Sequence, residues 1–282
     1  GIKDPIRETV RETIRIARRA GIRPVVITGD HMLTALAIAK EAGIAVSPSQ
    51  VMQGADMDRL SDEELLSRVS RVNLYARATP KHKIRIVDAL QARGEVVAMT
   101  GDGVNDAPAI KSADIGVALG SGTDVTKEAA DLVLLDDNFS TIVEAVEQGR
   151  IIFENIKKVI VYLLSDAFTE VILITGSLFF RLPLPVLATQ ILWVNVIADS
   201  FPAFALSFEK GEEEVMNDKP RPKQYPILDN EMKILIFIVG ISADLLLFGL
   251  FFFFFRSGDN LDHLRTIVFG ALGINSLLYV YS

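Results

Sequence analysis

The chain has 282 residues, half of them hydrophobic, and a formal net charge of −7 at neutral pH. That length carries about two domains, and the acidic balance argues against nucleic acid as a partner. The absence of cysteine excludes disulfide frameworks, thiolate metal sites and a cysteine nucleophile, and the three histidines (His31, His82, His263) lack the spacing of a zinc site.

A mean hydropathy of +0.33 is high for a soluble chain, and the apolar residues are unevenly placed. Nothing at the start resembles a signal peptide, and the last residues stop inside an apolar run. Both ends look like cuts, so the expectation is a fragment of a longer protein. In chain order, the first helical pattern covers 9–19, followed by a strand candidate at 25–27 and a helix over 33–41. Residues 48–71 read as a polar connection with a helical middle and no chemistry. Strands are expected at 72–75, 96–99, 115–118 and 132–135, with a helix over 81–92 and a short one after Asp106. Continuous apolar strands separated by helices indicate a parallel sheet covered on both faces. That is a doubly wound α/β domain, whose ligands sit at the C-terminal strand ends.

Composition changes near residue 150, which sets domains at 1–150 and 151–282. One helical pattern runs from Phe139 to Phe180, interrupted only by Gly149 and Gly176. Such a rod can leave a soluble domain, enter a bilayer and carry motion between the two. Membrane spans are expected at 156–180, 184–208, 233–255 and 265–282, each near the ~20 residues that cross hydrocarbon, the last one truncated. The loop 209–233 holds Lys210, Lys219, Arg221, Lys223 and Lys233, more cations than the next loop. The positive-inside rule places it in the cytoplasm with the α/β domain.

Two strand ends carry the chemistry. Val-Val-Ile-Thr-Gly-Asp at 25–30 offers a hydroxyl, exposed backbone N–H groups and a carboxylate, so Thr28 and Gly29 can donate to an oxyanion. Met-Thr-Gly-Asp-Gly-Val-Asn-Asp at 99–106 places Asp102 where Mg²⁺, a hard cation, finds oxygen. Gly103 permits close backbone approach, Asn105 and Asp106 open a helix, and Lys83 sits where it can neutralise a phosphoryl oxygen. Taken singly, each is an ordinary turn or cap. Further on, Glu170 and Asp166 lie one turn apart in the first span, and Asn195 and Asp199 share a face of the next. Ionisable groups in lipid are costly and usually functional. Pro202 has no N–H, so the Ala198 carbonyl loses its helical partner beside Asp199 and suits Ca²⁺. The bland alternative is polar glue between helices.

The stretches Asp4-Pro5-Ile6-Arg7, Ile27-Thr28-Gly29-Asp30, 76–83, 99–108 and 136–142, in this order, resemble P-type cation-transporting ATPases. Residues 192–203 are similar to a span of sarcoplasmic-reticulum-type calcium pumps. The resemblance implies a haloacid-dehalogenase-like phosphorylation domain followed by a transmembrane helical bundle. It implies Asp102 as the Mg²⁺ ligand, Asn105 and Asp106 as organisers of the phosphoryl site, and Lys83 as its neutralising cation. Thr28, Gly29 and Asp30 would cradle the phosphoryl group, and Arg7 would reach the nucleotide, ATP. Glu170, Asn195 and Asp199 match cation-ligand positions, with Asp166 and the Ala198 carbonyl as further candidates. Ala167 and Ala198 stand where those pumps have Asn and Thr ligands. The expectation is therefore one well-formed Ca²⁺ site, built from Asn195 and Asp199 and completed by a glutamate from an upstream helix, with Glu170 as a peripheral ligand or proton carrier and Asp166 in part replacing the lost oxygen.

Three family motifs are absent: Asp-Lys-Thr-Gly-Thr with the nucleophile, Thr-Gly-Glu-Ser and Lys-Gly-Ala. All lie upstream in the family, so these residues alone are expected to be inactive, with the actuator and nucleotide domains and the first spans as partners in the same polypeptide. A membrane-tethered phosphatase needs a nucleophilic Asp within the chain, and none is so placed. A decayed scaffold disagrees with the intact Lys83, Asp102 and Asp106. Mn²⁺, Na⁺ and H⁺ are the alternative cations. The compact layout leans towards a bacterial plasma membrane.

Overall fold

The computed structural model describes residues 6–7, 9–44, 46–212 and 214–280. The chain divides into Gly1–Gln148 with Glu213–Tyr225, and Gly149–Glu212 with Pro226–Ser282. In the first unit the elements run α1 (Val10–Arg19), β1 (Val26–Ile27), α2 (Met32–Glu41), β2 (Val51–Gln53), α3 (Gly54–Met57), α4 (Asp62–Arg68) and β3 (Leu74–Ala76). They continue with α5 (Pro80–Ala92), β4 (Ala98–Gly101), α6 (Ala107–Ser112), β5 (Ile115–Leu119), α7 (Asp124–Ala129) and β6 (Leu132–Leu134).

Local signals explain most starts. Ser61, Thr79 and Thr123 each accept an N–H from the first turn of the helix they precede, satisfying a donor that the helix leaves open. Thr79 is followed by Pro80, whose fixed φ suits a first helical position. His82 completes this cap. Its Nδ1 accepts from the Thr79 N–H at 3.1 Å, so the ring proton is on Nε2, which donates to Asp58 at 2.8 Å. That bond holds the Asp58 carboxyl below the usual carboxylate range.

All ladders are parallel. The expected single sheet is instead recorded as two three-stranded ones, ordered β1-β3-β2 and β4-β5-β6. β1 and β4 are therefore edge strands. Ile27 and Val97 each pack against the apolar clusters that contain Ile86 and Val87. Two further differences have simple causes. β2 lies inside the stretch taken as a connection, where three residues are too few to show a period. β3 and β4 sit about two residues later than their apolar runs, because register with the neighbouring strand rather than hydropathy sets the ladder. Thr100 and Gly101 thus belong to β4, and Asp102 leaves directly from its end.

The segment before the long helix is a tight turn. Asp137 has φ 51°, a conformation Asp tolerates. The Thr141 hydroxyl donates to Asp136 at 2.6 Å and holds that carboxyl below its ordinary value. From the returning loop, Lys223 pairs with Asp114 at 2.6 Å.

α8 (Phe139–Phe179) runs unbroken for 41 residues. Then come α9 (Ala188–Trp193), a π-helical turn (Val194–Asp199) and α10 (Ser200–Ser207). α11 (Asn230–Lys233), a second π-helical stretch (Ile234–Gly240), α12 (Ile241–Arg256) and α13 (Leu261–Tyr279) complete the second unit. Among the described residues two helices are long and apolar enough to cross a membrane, Phe139–Phe179 and Asn230–Arg256. The expected span 184–208 is three consecutive helical pieces, and 265–282 lies mostly in the 19-residue α13. Leu173, Val194, Phe248, Phe251 and Leu272 form the apolar centre of this unit. Gly176 lets the Phe248 ring approach so closely that a Cβ would stand 2.7 Å from it.

Candidate functional site

The first cluster is at the C-terminal end of β4. A 3₁₀ turn (Val104–Asp106) carries Asp106 back over Gly101. Lys83, on the first turns of α5, pairs with the Asp106 carboxylate, both side chains largely buried. Asp106 Oδ2 also accepts the Gly103 N–H at 3.4 Å. Glycine is required at 101 rather than at 103. A Cβ on Gly101 would lie 2.5 Å from Asp106 Cβ, whereas one on Gly103 has only a 3.8 Å neighbour. Asp102 stays exposed, but its backbone is fixed: its carbonyl accepts the Thr123 N–H at 3.0 Å, and Gly122 packs against it. Asn105 is exposed on the same turn. The result is a free carboxylate next to a neutralised one, both at a strand end.

Thr28, Gly29 and Asp30 follow β1 on the neighbouring sheet. The Thr28 carbonyl accepts the Ala78 N–H at 2.9 Å, just before the Thr79 cap of the helix that bears Lys83. The Thr28 hydroxyl closes a turn with Asp30, donating to its carboxylate at 3.0 Å and accepting its N–H at 3.1 Å. Gly29 is exposed, with open space where a Cβ would project. No hydrogen bond among the described residues joins this turn to Lys83, Asp102 or Asp106. Arg7 is exposed and donates to the Asp136 carbonyl at 3.2 Å. Asp4 and Pro5 lie outside the described residues.

The second cluster is in the helical unit. Asn195, on the π turn, donates to both Glu170 carboxylate oxygens at 3.1 and 3.4 Å. π turns are rare and recur at functional sites. Asn195 is exposed and Glu170 half-buried. Asp199 is 6% exposed and Asp166 2% exposed, the two within hydrogen-bonding reach of each other. The Ala198 carbonyl is not free as expected: the Tyr162 hydroxyl donates to it at 2.9 Å, supplying what Pro202 withholds. Asp244, to which the sequence assigned no role, accepts the Thr169 hydroxyl. Among the described residues no three acidic or histidine side chains converge closely enough to hold a metal by themselves.

Comparison with known proteins fixes the family. Residues 183–282 match the model described as cation transporting ATPase, C-terminus, and residues 1–114 and 84–146 match haloacid dehalogenase-like hydrolase models. A calcium-transporting ATPase of Bacillus subtilis is 45% identical across the whole chain, which corresponds to 32% of that protein. The chain belongs to the cation-transporting ATPases. Calcium-transporting ATPase 1 of Schizosaccharomyces pombe is 47% identical over 82% of the chain and 27% of its own length. Calcium-transporting ATPase type 2C member 2 of Homo sapiens is 44% identical over 91% of the chain and 27% of its own length. The chain thus spans about a third or less of the curated relatives it matches.

The haloacid dehalogenase-like match accounts for the parallel sheets, and the match to the C-terminus of cation transporting ATPases accounts for the apolar helices. The close fit at position 101 is directly testable. Gly101→Ala in the full-length protein is expected to push Asp106 off its position and cost about 1–3 kcal/mol as an overpacking change. Thermal unfolding together with ATP hydrolysis reads this, and an unchanged rate would show that Asp106 need not sit where it does.

Proposed function

We propose that this chain is the C-terminal third of a pump that hydrolyses ATP through an aspartyl phosphate and moves Ca²⁺ across a membrane. The observation that carries the phosphoryl part is the Lys83–Asp106 pair beside the exposed Asp102 at the end of β4. The Lys83 charge is largely matched by Asp106, so the free Asp102 carboxylate is the group left to bind a cation. Its oxygen chemistry fits Mg²⁺, which would neutralise phosphoryl oxygens and polarise the bond to the transferring group. Asp102, with Asn105 at its flank, would hold the metal. Lys83 Nζ, which has donors beyond the one it gives Asp106, would hydrogen-bond a phosphoryl oxygen, and the backbone N–H of the exposed Gly29 would donate to another. Arg7 and Asp30 complete the reading at the nucleotide side.

The nucleophile must come from residues outside these 282. The unpaired edges of β1 and β4, whose Ile27 and Val97 pack in common clusters, suit a parallel strand inserted between them. That strand would deliver an Asp between Thr28 and Asp102.

For the cargo, Glu170, Asn195 and Asp199 supply carboxylate and amide oxygens, with Asp166 next to Asp199. The printed names of the relatives favour Ca²⁺. The Asn195–Glu170 pair, exposed at Asn195, suits completion by a ligand from an upstream helix. Continuity of α8 from Phe139 to Phe179 gives movement at the phosphoryl site a route to Glu170. The cations of 209–233 favour a cytoplasmic first unit, and the membrane is read as a bacterial plasma membrane.

The test is the full-length protein in sealed vesicles, followed for Ca²⁺ uptake and ATP hydrolysis. Uptake that requires ATP, with hydrolysis stimulated by Ca²⁺, is expected. Hydrolysis indifferent to Ca²⁺ would overturn the choice of cargo, and no ATP hydrolysis at all would overturn the pump.

A further inference from the structure

Asp199 is buried where Glu170 is only half-buried, and its orientation is set by groups that no motif singles out. Ser276, on α13, donates from Oγ to Asp199 Oδ1 at 2.9 Å. Tyr162, on α8, lies 2.7 Å from Ser276 Oγ and 2.9 Å from the Ala198 carbonyl. Ser276 is 0% exposed and Tyr162 1% exposed. Three separate helical segments therefore meet at one carboxylate through two hydroxyls.

The proton count gives this chain a direction. Ser276 Oγ is the donor to Asp199 Oδ1, so its single proton goes to Asp199. Ser276 Oγ is then an acceptor, and the Tyr162 proton is what it accepts. The Tyr162 proton has a second acceptor in the Ala198 carbonyl, on the residue next to Asp199. One tyrosine hydroxyl thus ties both the carboxylate's donor and the backbone that carries the carboxylate. Ser276 engages Oδ1, so Oδ2, on a carboxylate that Asp166 also reaches, is the oxygen to meet a cation.

We propose that Ser276 and Tyr162 are positioning residues for cargo binding, holding Asp199 in the orientation in which its free oxygen meets the cation. The inference rests on the reading of Asp199 as a cargo ligand. Groups that fix a metal ligand from behind typically change metal affinity by ~10–100-fold when removed. The structural alternative is that the hydroxyls only fasten helices together, as polar residues do in membranes.

The experiment uses the full-length protein and Ca²⁺ itself as the probe. Ser276→Ala is expected to raise the Ca²⁺ concentration for half-maximal ATP hydrolysis by ~10-fold or more, with the maximal rate at saturating Ca²⁺ kept. Ser276→Thr, which retains the hydroxyl, restores the affinity. Tyr162→Phe shifts affinity in the same direction. Because Tyr162 acts partly through Ser276, the double variant is expected to fall short of the two single effects multiplied together. Equilibrium binding of radioactive Ca²⁺ in the absence of ATP reads the same shifts apart from turnover. A Ser276→Ala protein with unchanged Ca²⁺ affinity overturns the proposal, as does a lowered melting temperature with affinity intact, which is the signature of fastening alone. If the variants lose affinity and the maximal rate together, and Ser276→Thr rescues neither, the positioning role also fails. Failure of the unaltered protein to bind Ca²⁺ strikes instead at the choice of cargo, so the two failures are distinguishable.

Discussion

Asp102→Asn in the full-length protein is expected to lower ATP turnover by at least ~10²-fold, the scale of losing one electrostatic contact to a transition state. The substitution keeps the shape and removes the charge. Asp102 is suited to so clean a test because its backbone is held independently of its side chain. The Thr123 N–H on its carbonyl and the close packing of Gly122 both survive the change. The neighbouring acid behaves differently: Asp106 is paired with Lys83 in a largely buried setting, so Asp106→Asn would leave an uncompensated ammonium. Asp102→Asn should therefore leave the melting temperature within a degree or two while turnover collapses, and Asp106→Asn should lower both. Binding of Ca²⁺ without ATP should survive Asp102→Asn. If turnover persists with the Asn, another oxygen serves Mg²⁺ and the assignment of Asp102 is wrong.

Legibility in the sequence followed the length and spacing of each signal. The parallel α/β character, the helix starts at Pro80 and Ala107, and the 41-residue helix rest on strong local patterns and lie within a residue or two of their expected places, but Asp106 turns its side chain back to Gly103 and Lys83 instead of capping the helix it precedes. β2 was not legible, because Val51–Gln53 is too short for periodicity and is stabilised by pairing with β3. The close fit at Gly101 was not legible. The motif Thr-Gly-Asp-Gly offers two glycines, and only the path of the 3₁₀ turn shows that Asp106 folds back onto Gly101. The second span is helical without a break from Ala188 to Ser207, and only the π turn within it at Val194–Asp199 left no trace in hydropathy. The partner of the Ala198 carbonyl was invisible for a general reason. Pro202 reveals that a carbonyl loses its helical N–H, but not that a tyrosine 36 positions earlier replaces it. Ser276 had no signal at all, since a lone serine in an apolar helix is most often bonded to its own backbone.

The proposed cargo site offers the other large effect. Asp199→Asn is expected to abolish Ca²⁺ binding over the accessible range, a loss of ~10²-fold or more, whereas Glu170→Gln should weaken it by only ~10-fold. The difference follows from surroundings. Asp199 is buried, and an effective dielectric well below that of water makes its charge the strongest attraction a cation meets. Glu170 is half-buried and already shares both oxygens with the Asn195 amide, so part of its charge is screened and part of its geometry survives as an amide. Asn at 199 still accepts the Ser276 hydroxyl, so the fold around it is retained and the change reads charge alone. The number of ions bound is the sharper quantity. Ala167 and Ala198 contribute no side-chain oxygen, and Asp166 lies within reach of Asp199 rather than forming a separate group of ligands. One Ca²⁺ per full-length protein is therefore expected by equilibrium titration. Two tightly bound ions would mean that Asp166 and Asp244 serve a second site that the geometry of these residues does not assemble alone.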